Sequence, residues 1–240
     1  MVHHNPLFRC YFGNSKDQLE PEKYLALTRE QDILLRPEFS ALKKQLQLER
    51  LLFLKQIHSA NGFVCSDRKK ALSTHSFAYE GDYIITNQKK CGIGIMSADC
   101  LPLIIVDMVH QVVGIAHAGW RGTAAGISVA MLDAMRTQFN TNPLHIKLFF
   151  GPCAQRCCYE VQPSFKDAFA HMSQSAAFFI EKGDKLYFDT VACNRFILQQ
   201  AGIPDTAFCL DYNRCTICTP TFCSHRRGDT TRQMTVVALV

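Results

Sequence analysis

The chain has 240 residues, 48% of them hydrophobic and 20% charged, and carries 26 lysines and arginines against 21 acidic residues for a net charge of +5. That length supports a buried core without covalent staples, and the composition excludes an intrinsically disordered chain. The basic residues are scattered, with Arg68-Lys69-Lys70, Lys89-Lys90 and Arg226-Arg227 as the densest clusters, whereas a nucleic-acid binder needs a focused stripe, so nucleic acid is not expected as a partner.

In chain order, residues 20–50 read as helical, in PEKYLALTREQDILL and then PEFSALKKQLQLERLLFL, with a break at Pro37. KQIHSANGFVC reads as a short strand, a turn at Asn61-Gly62 and a strand out again, a hairpin-like signal. GDYIITN, CGIGIMSADC, LPLIIVD and VHQVVGIAHA are strand-like and rich in Ile and Val, the last two joined by a hairpin turn over Asp107 to Gln111. GTAAGISVAMLDAMRTQFN has apolar residues at helical spacing and ends in a turn over Asn140 to Pro143. HIKLFFGP is a strand running into a Gly-Pro loop. SFKDAFAHM and TVACNRFILQQAG read as helices, the second capped by Asp189 and stopped by Gly202, and FCLDY and MTVVALV are β-like. The pattern predicts an α+β fold: mixed β-sheets with helices packed outside, a single-domain sandwich over residues 1–240.

Apolar runs such as LPLIIV fall far short of the roughly 20 residues a membrane span needs, and the N-terminus lacks the apolar core and small-residue cleavage site of a signal peptide. No membrane partner and a cytoplasmic location are expected. There the twelve cysteines stay reduced, most as small buried hydrophobes with a few ligands among them.

Three residues are metal-capable at the ends of strand-like runs: His58 in KQIHSANG, Cys100 in SADCLPL and His117 in AHAGWRG. A His, Cys, His set suits zinc and leaves one position open for a water whose pKa falls to about 7. Asp99 and Asp82 are carboxylates that could orient the ligands or move protons. The same residues also fit a metal-free reading, with Cys100 as a thiolate nucleophile and His117 as its base. A rival pattern, Cys215, Cys218, Cys223 and His225 at C-x2-C-x4-C-x-H spacing, resembles a zinc knuckle, against which the single residue before the histidine counts. Cys157-Cys158 is weaker still, since neighbours in an extended chain point to opposite faces. Gly92 and Gly94 form a lone GxG that does not support a dinucleotide fingerprint. In GWRG, Arg121 stands at a turn before a helix whose free N–H groups suit an anion.

Six blocks, KQIHSANG, GDYIITN, GIGIMSADCLPLIIVD, GIAHAGWRGTAAGI, FFGPCAQRCCYEV and RCTICTPTFCSHRRGDTTRQMTVVAL, run in this order from about residue 50 to the C-terminus. Together they resemble the bacterial laccase-domain family, long known as multicopper polyphenol oxidases and now described as zinc-dependent purine nucleoside phosphorylases. Some members are called peptidoglycan editing factors. The resemblance implies that His58, Cys100 and His117 are the metal ligands and Zn2+ the cofactor, with copper an alternative occupant in vitro. It implies phosphorolysis of adenosine, inosine, guanosine and methylthioadenosine, with adenosine deamination as a second activity, so that a purine nucleoside and phosphate are the partners. For such a reaction Asp99 and Asp82 are the candidate catalytic carboxylates, and Arg121, with Arg226 or Arg227 in SHRRGD, the candidate phosphate holders. Relatives carry other residues at Cys218 and Cys223, which demotes the zinc knuckle. Two departures stand out: FRCYFGNSKDQ does not carry the family's usual N-terminal segment, and the Gly-Pro loop continues as GPCAQRCCYEV rather than with Ile-Gly. Three other readings stay open: a cysteine-type hydrolase acting on a cell-wall precursor, a copper-dependent polyphenol oxidase, and a non-catalytic binding protein that holds a structural zinc and turns over nothing. For the oxidase, nine histidines are poor material for several coppers. Oligomeric state is not legible in the sequence.

Overall fold

The structure, a computed structural model, describes residues 1–25, 36–67 and 75–240. The downstream part of the first expected helix and the Arg68-Lys69-Lys70 cluster lie outside the described residues. Strands β1 (Val2–His4) and β2 (Phe8–Phe12) come first, then helices α1 (Pro21–Leu25) and α2 (Pro37–Leu46). Strands β3 (Arg50–Phe53), β4 (Gly62–Cys65), β5 (Tyr83–Thr86), β6 (Cys91–Ser97), β7 (Leu101–Asp107) and β8 (Val112–Ala118) follow. Helices α3 (Trp120–Ala124) and α4 (Ile127–Phe139) lead to β9 (Ile146–Phe150), β10 (Glu160–Val161), β11 (Phe179–Lys182) and β12 (Lys185–Phe188). The chain closes with α5 (Thr190–Gln200), β13 (Phe208–Cys209) and β14 (Gln233–Leu239).

Among the described residues these strands make a five-stranded sheet, β1-β2-β14-β6-β3, a six-stranded sheet, β13-β9-β7-β8-β5-β4, and a small β10-β12-β11 sheet. Both large sheets are mixed: β3 runs parallel to β6, β4 parallel to β5 and β13 parallel to β9, and the other pairs are antiparallel. Their inner faces pack on one another through residues such as Ile93, Ile95 and Val237 on one side and Ile104, Val113 and Ile115 on the other. Outside, α4 and α5 cover the six-stranded sheet with Met131, Met135 and Leu198. Helix α2 covers the five-stranded sheet with Phe39, Leu42 and Leu46, each burial contributing about 1.5–3 kcal/mol. The fold is α+β, with helices outside mixed sheets. Because β6, β7 and β8 are covered on both faces, every residue in them is buried, and their sequences read as continuous apolar runs. In the same setting Gly92 and Gly94 are packing residues. A Cβ on Gly94 would lie 2.6 Å from the Phe53 ring.

Several local expectations are corrected. The second helix stops at Leu46, where Gln47 turns left-handed (φ 58°) and its N–H caps the carbonyls of Lys43 and Lys44; Arg50–Phe53 is strand β3, not helix. Asn61-Gly62 makes no hairpin. The Asn61 carbonyl accepts the N–H of Asp82 at 2.8 Å, which sends β4 parallel alongside β5. The helix expected from Gly122 is two helices, broken before Gly126 at φ 80°, and SFKDAFAHM lies largely in a 3-10 turn, Pro163–Phe169. Helix α5 starts as expected, with Asp189 accepting the Ala192 N–H at 2.8 Å. No helix among the described residues is long and apolar enough to cross a membrane.

Candidate functional site

Strand β6 leaves the five-stranded sheet through Ala98–Cys100 and enters the six-stranded sheet as β7, so this bend lies where the two sheets meet. Asp99 takes a left-handed conformation there (φ 86°), which is costly for a residue with a Cβ and marks a bend held by its surroundings. The Asp99 carboxylate supplies that hold. Its Oδ1 accepts the Thr216 hydroxyl at 2.6 Å, its Oδ2 the Arg226 N–H at 2.7 Å, and its carbonyl the Ala154 N–H at 2.8 Å. The bend presents Cys100 opposite the end of β8, where His117 lies.

Asp82, 1% exposed just before β5, ties the third residue to these two. Its Oδ1 accepts the His117 Nδ1–H at 3.0 Å and the His58 backbone N–H at 3.0 Å. Its Oδ2 accepts the N–H of Ile57 and Ser59, at 3.2 and 2.6 Å, and the Ser59 hydroxyl at 2.9 Å. Three successive N–H groups wrap one carboxylate, a backbone nest made possible by the left-handed His58 (φ 61°). Gln56 fastens the same loop to β6, giving its amide N–H to the Met96 carbonyl and accepting the Met96 N–H, both at 2.8 Å. His58, Cys100 and His117 are thereby gathered with ligand atoms within 4.8 Å of one another. Bonding Asp82 through Nδ1 fixes the His117 tautomer and leaves Nε2 with its lone pair free to ligate. One thiolate and two imidazoles, one oriented by a carboxylate, fit a transition-metal ion. Gly119 keeps the space clear, since a Cβ there would meet the Cys100 sulfur at 2.9 Å and the His58 ring at 3.2 Å. Overpacking of this kind costs about 1–3 kcal/mol, so Gly119→Ala is expected to weaken metal binding about tenfold, read by competition with a chromogenic chelator.

The electrostatics agree. Burial alone would raise the Cys100 thiol, but the charge and hydrogen bond of His117, followed by those of His58, outweigh it and bring the pKa down to about 6. Burial opposes a charge on His117 too, yet Cys100 and Asp82 raise its pKa to about 9. Burial likewise works against ionised Asp82, but the hydrogen bonds from His117 and Ser59 hold it below the usual carboxylate range. The metal-free chain is therefore expected to carry a thiolate–imidazolium pair at neutral pH. Alkylation of Cys100 in chelator-stripped protein, followed by peptide mass, should rise with pH through about 6 and then level off. A midpoint in the ordinary thiol range would show that the rings do not hold the thiolate.

Two cavities meet at this group and share His58, Ala98, Cys100 and His225. One, about 410 Å³, has an apolar wall of Leu54, Phe77 and Met96, and Ser97 also lines it. The buried Ser97 hydroxyl has no hydrogen-bond partner among the described residues. The other, about 400 Å³, carries charged and hydroxyl side chains, with Asp99, Trp120, Arg121, Tyr159, Thr190 and Arg226 on its walls. Arg121 is exposed and lies over the Trp120 ring at 4.3 Å. Arg226 lies over the Tyr159 ring at 4.9 Å and gives one N–H to the Glu160 carbonyl at 2.8 Å, leaving much of its five-donor fork for an anion. Burial and then the Cys100 charge push Tyr159 up to about 12, so its hydroxyl remains a donor at neutral pH.

Of the residues singled out in the sequence, His58, Cys100, His117, Asp82, Asp99, Arg121 and Arg226 converge here. Arg227 does not. Its guanidinium bonds the carbonyls of Thr216, Ile217 and Phe222 and the Asp229 carboxylate, bracing the C-terminal loop from within. The knuckle pattern is also taken apart: Cys223 is buried beside Thr231 and His225 lines both cavities, while Cys215 and Cys218 gather with Cys157 and Cys158. Sequence reasoning missed His225 as a cavity residue because its spacing drew it into that knuckle, and it missed Gln56, Ser97 and Tyr159, which lie inside the quoted blocks but have no residue chemistry that singles them out.

A purine nucleoside phosphorylase of Aquifex aeolicus (strain VF5) is 35% identical over 165 residues, 69% of this chain and 73% of that protein. A protein named adenosine deaminase RL5, from an unknown prokaryotic organism, is 32% identical over 194 residues, 78% of this chain and 73% of its own. The crystal structure of YlmD from Geobacillus stearothermophilus superposes with a TM-score of 0.76 at 29% identity, covering 88% of this chain and 81% of that one. The family described as multi-copper polyphenol oxidoreductase laccase matches residues 31–240, and the chain belongs to it.

Proposed function

We propose that residues 1–240 form one domain acting as a zinc-dependent purine nucleoside phosphorylase on adenosine, inosine, guanosine and methylthioadenosine, with adenosine deamination as a second activity. The observation that carries this reading is the pair of cavities meeting at the His58, Cys100, His117 group. The relatives' names point the same way. The apolar cavity suits a purine ring, which Phe77 and Met96 would flank. The arginine-lined cavity suits phosphate, held by Arg121 and Arg226 below the ribose. Phosphorolysis forms a bond from a phosphate oxygen to C1′ of the ribose and breaks the C1′–N9 bond, the electron pair leaving with the base. The arginines therefore place the attacking anion, and the apolar wall orients the leaving group. A zinc ion held by His58, Cys100 and His117 would supply Lewis acidity between the two cavities. Zinc suits the set better than several coppers do, because the described residues gather three donors here and the other metal-capable group is all cysteine.

The test is to incubate the purified protein with adenosine, with and without phosphate, and separate the products. Adenine and ribose 1-phosphate formed only with phosphate are expected; inosine would report the deaminase. Failure of zinc-loaded protein to turn over any of the four nucleosides would overturn the reading. Arg121→Ala and Arg226→Ala each remove charge-assisted hydrogen bonds worth about 1.5–3 kcal/mol, so the KM for phosphate is expected to rise about tenfold or more while deamination is little changed. Equal losses in both activities would remove the arginines' assigned role.

A second reading also has an observation behind it. Cys100, His117 and Asp82 stand as thiol, imidazole and carboxylate, the order of a cysteine hydrolase. Such an enzyme, acting on a cell-wall precursor, would survive a chelator and die with a thiol alkylator.

A further inference from the structure

Away from the cavities, two turns bring four cysteines together. Cys157 and Cys158 lie in the turn after the Gly-Pro loop, and Cys215 and Cys218 in the turn that opens the C-terminal loop. Their four sulfurs lie within 4.8 Å of one another, with Cys215 buried, Cys158 half-buried and Cys157 and Cys218 exposed. Adjacent cysteines in an extended chain would face apart. Here the turn closes back on the Gln155 carbonyl, which accepts the N–H of Cys158 at 2.9 Å and of Tyr159 at 2.8 Å, and both sulfurs reach the same side.

The two turns are held in register independently of the cysteine side chains. Cys153 bridges Cys215 in parallel, through Cys153 N–H to the Arg214 carbonyl and Thr216 N–H to the Cys153 carbonyl, each 3.0 Å. Cys215 and Cys218 have the C-x2-C spacing of a zinc-binding turn. A tetrahedral zinc with Zn–S near 2.3 Å separates its sulfurs by about 3.8 Å, which small rotations inside the 4.8 Å envelope provide.

We propose that Cys157, Cys158, Cys215 and Cys218 bind a structural Zn2+ ion that clips the Gly-Pro loop to the C-terminal loop. Four thiolates close the coordination sphere and leave no place for substrate, so the role is to hold the backbone. What it holds is the arginine-lined cavity. Tyr159 follows Cys158 directly and Arg226 lies on the clipped C-terminal loop, and both line that cavity. Ala154 and Thr216, one from each loop, bond Asp99 at the bend that presents Cys100. The ion would thus fix the separation of cavity walls that come from sequence segments about sixty residues apart.

The site is tested on the full chain purified under reducing conditions with zinc, by counting metal per chain. The wild type is expected to lose one zinc equivalent in Cys157→Ser/Cys218→Ser and to keep that equivalent in Cys100→Ala, so this site and the cavity site are scored separately. Cobalt in the Cys100→Ala chain should give the ligand-field and charge-transfer bands of a tetrathiolate complex. Should the double variant fail to fold, the wild type still decides. Native Cys157 and Cys218, although exposed, should resist alkylation until a chelator is added. Equal metal in wild type and double variant, alkylation indifferent to chelator, or a disulfide among the four in protein purified under reducing conditions would overturn the assignment.

Discussion

Cys100→Ala is expected to remove the metal from the cavity site and to lower kcat for adenosine phosphorolysis by about 10³-fold or more, since a metal's charge stabilisation is worth several kcal/mol and each tenfold takes about 1.4. The argument rests on position. Cys100 is the one sulfur in its group, and two imidazoles without it bind weakly and select poorly among metals. The fold should hardly notice, because Cys100 is partly exposed at a bend fixed by Asp99 rather than by its own side chain. Metal content and kcat should therefore fall together while the melting temperature of the metal-free chain stays near that of metal-free wild type. His58→Ala separates the two functional readings. It removes a zinc ligand but no member of a Cys100–His117–Asp82 triad, so loss of metal and turnover favours the phosphorylase, whereas full activity favours the hydrolase. A Cys100→Ala chain that keeps both metal and turnover would end the site's assigned role.

What the sequence shows and hides follows from the range of the forces involved. Strands β6, β7 and β8 and the Asp107–Gln111 turn are legible because long Ile- and Val-rich runs broken by polar residues have few alternatives. The cap at Asp189 is legible because it acts over three residues. Arg50–Phe53 reads as helix in the sequence because four consecutive residues of mostly apolar character carry no periodicity, and its partner β6 lies about forty residues away. Asn61-Gly62 has the local chemistry of a hairpin, but the turn was outbid by a carbonyl contact to Asp82 across the sheet. The site shows the same division. Spacing flags His58, Cys100 and His117 as capable, yet their union depends on a sheet crossing and on Asp82, and in the sequence only the family resemblance joins them. The rule that parts neighbouring side chains in extended chain does not hold for Cys157-Cys158 because they lie in a turn, and Arg227 is set apart from its neighbour Arg226 by its carbonyl partners in the folded loop.

Asp82→Asn tests the residue on which this union depends, and its expected effect is large because every contact of the carboxylate is a donor. Five hydrogen bonds converge on its two oxygens, from the N–H groups of Ile57, His58 and Ser59, the Ser59 hydroxyl and His117 Nδ1. An amide offers one acceptor oxygen and one NH2. With NH2 at the Oδ2 position it confronts the N–H groups of Ile57 and Ser59, leaving buried donors unsatisfied at about 1–3 kcal/mol each. With NH2 at the Oδ1 position it confronts the His58 N–H and can bond His117 only by donating to Nδ1. That moves the ring proton to Nε2 and occupies the lone pair needed for ligation. Either way the metal affinity is expected to fall about 10–100-fold, the usual loss when the partner that orients a ligating histidine is removed. The wild-type carboxylate, held below its usual range, contributes fully above the ordinary aspartate pKa and loses its contribution only as pH falls through the depressed folded value. The variant should lack that acid-side dependence, so chelator competition between neutral pH and the carboxylate range should show the wild-type advantage shrinking as pH falls. Heteronuclear NMR of the His117 ring should report the tautomer directly, and an unchanged Nδ1–H tautomer with unchanged metal affinity would show that Asp82 does not set the ligand.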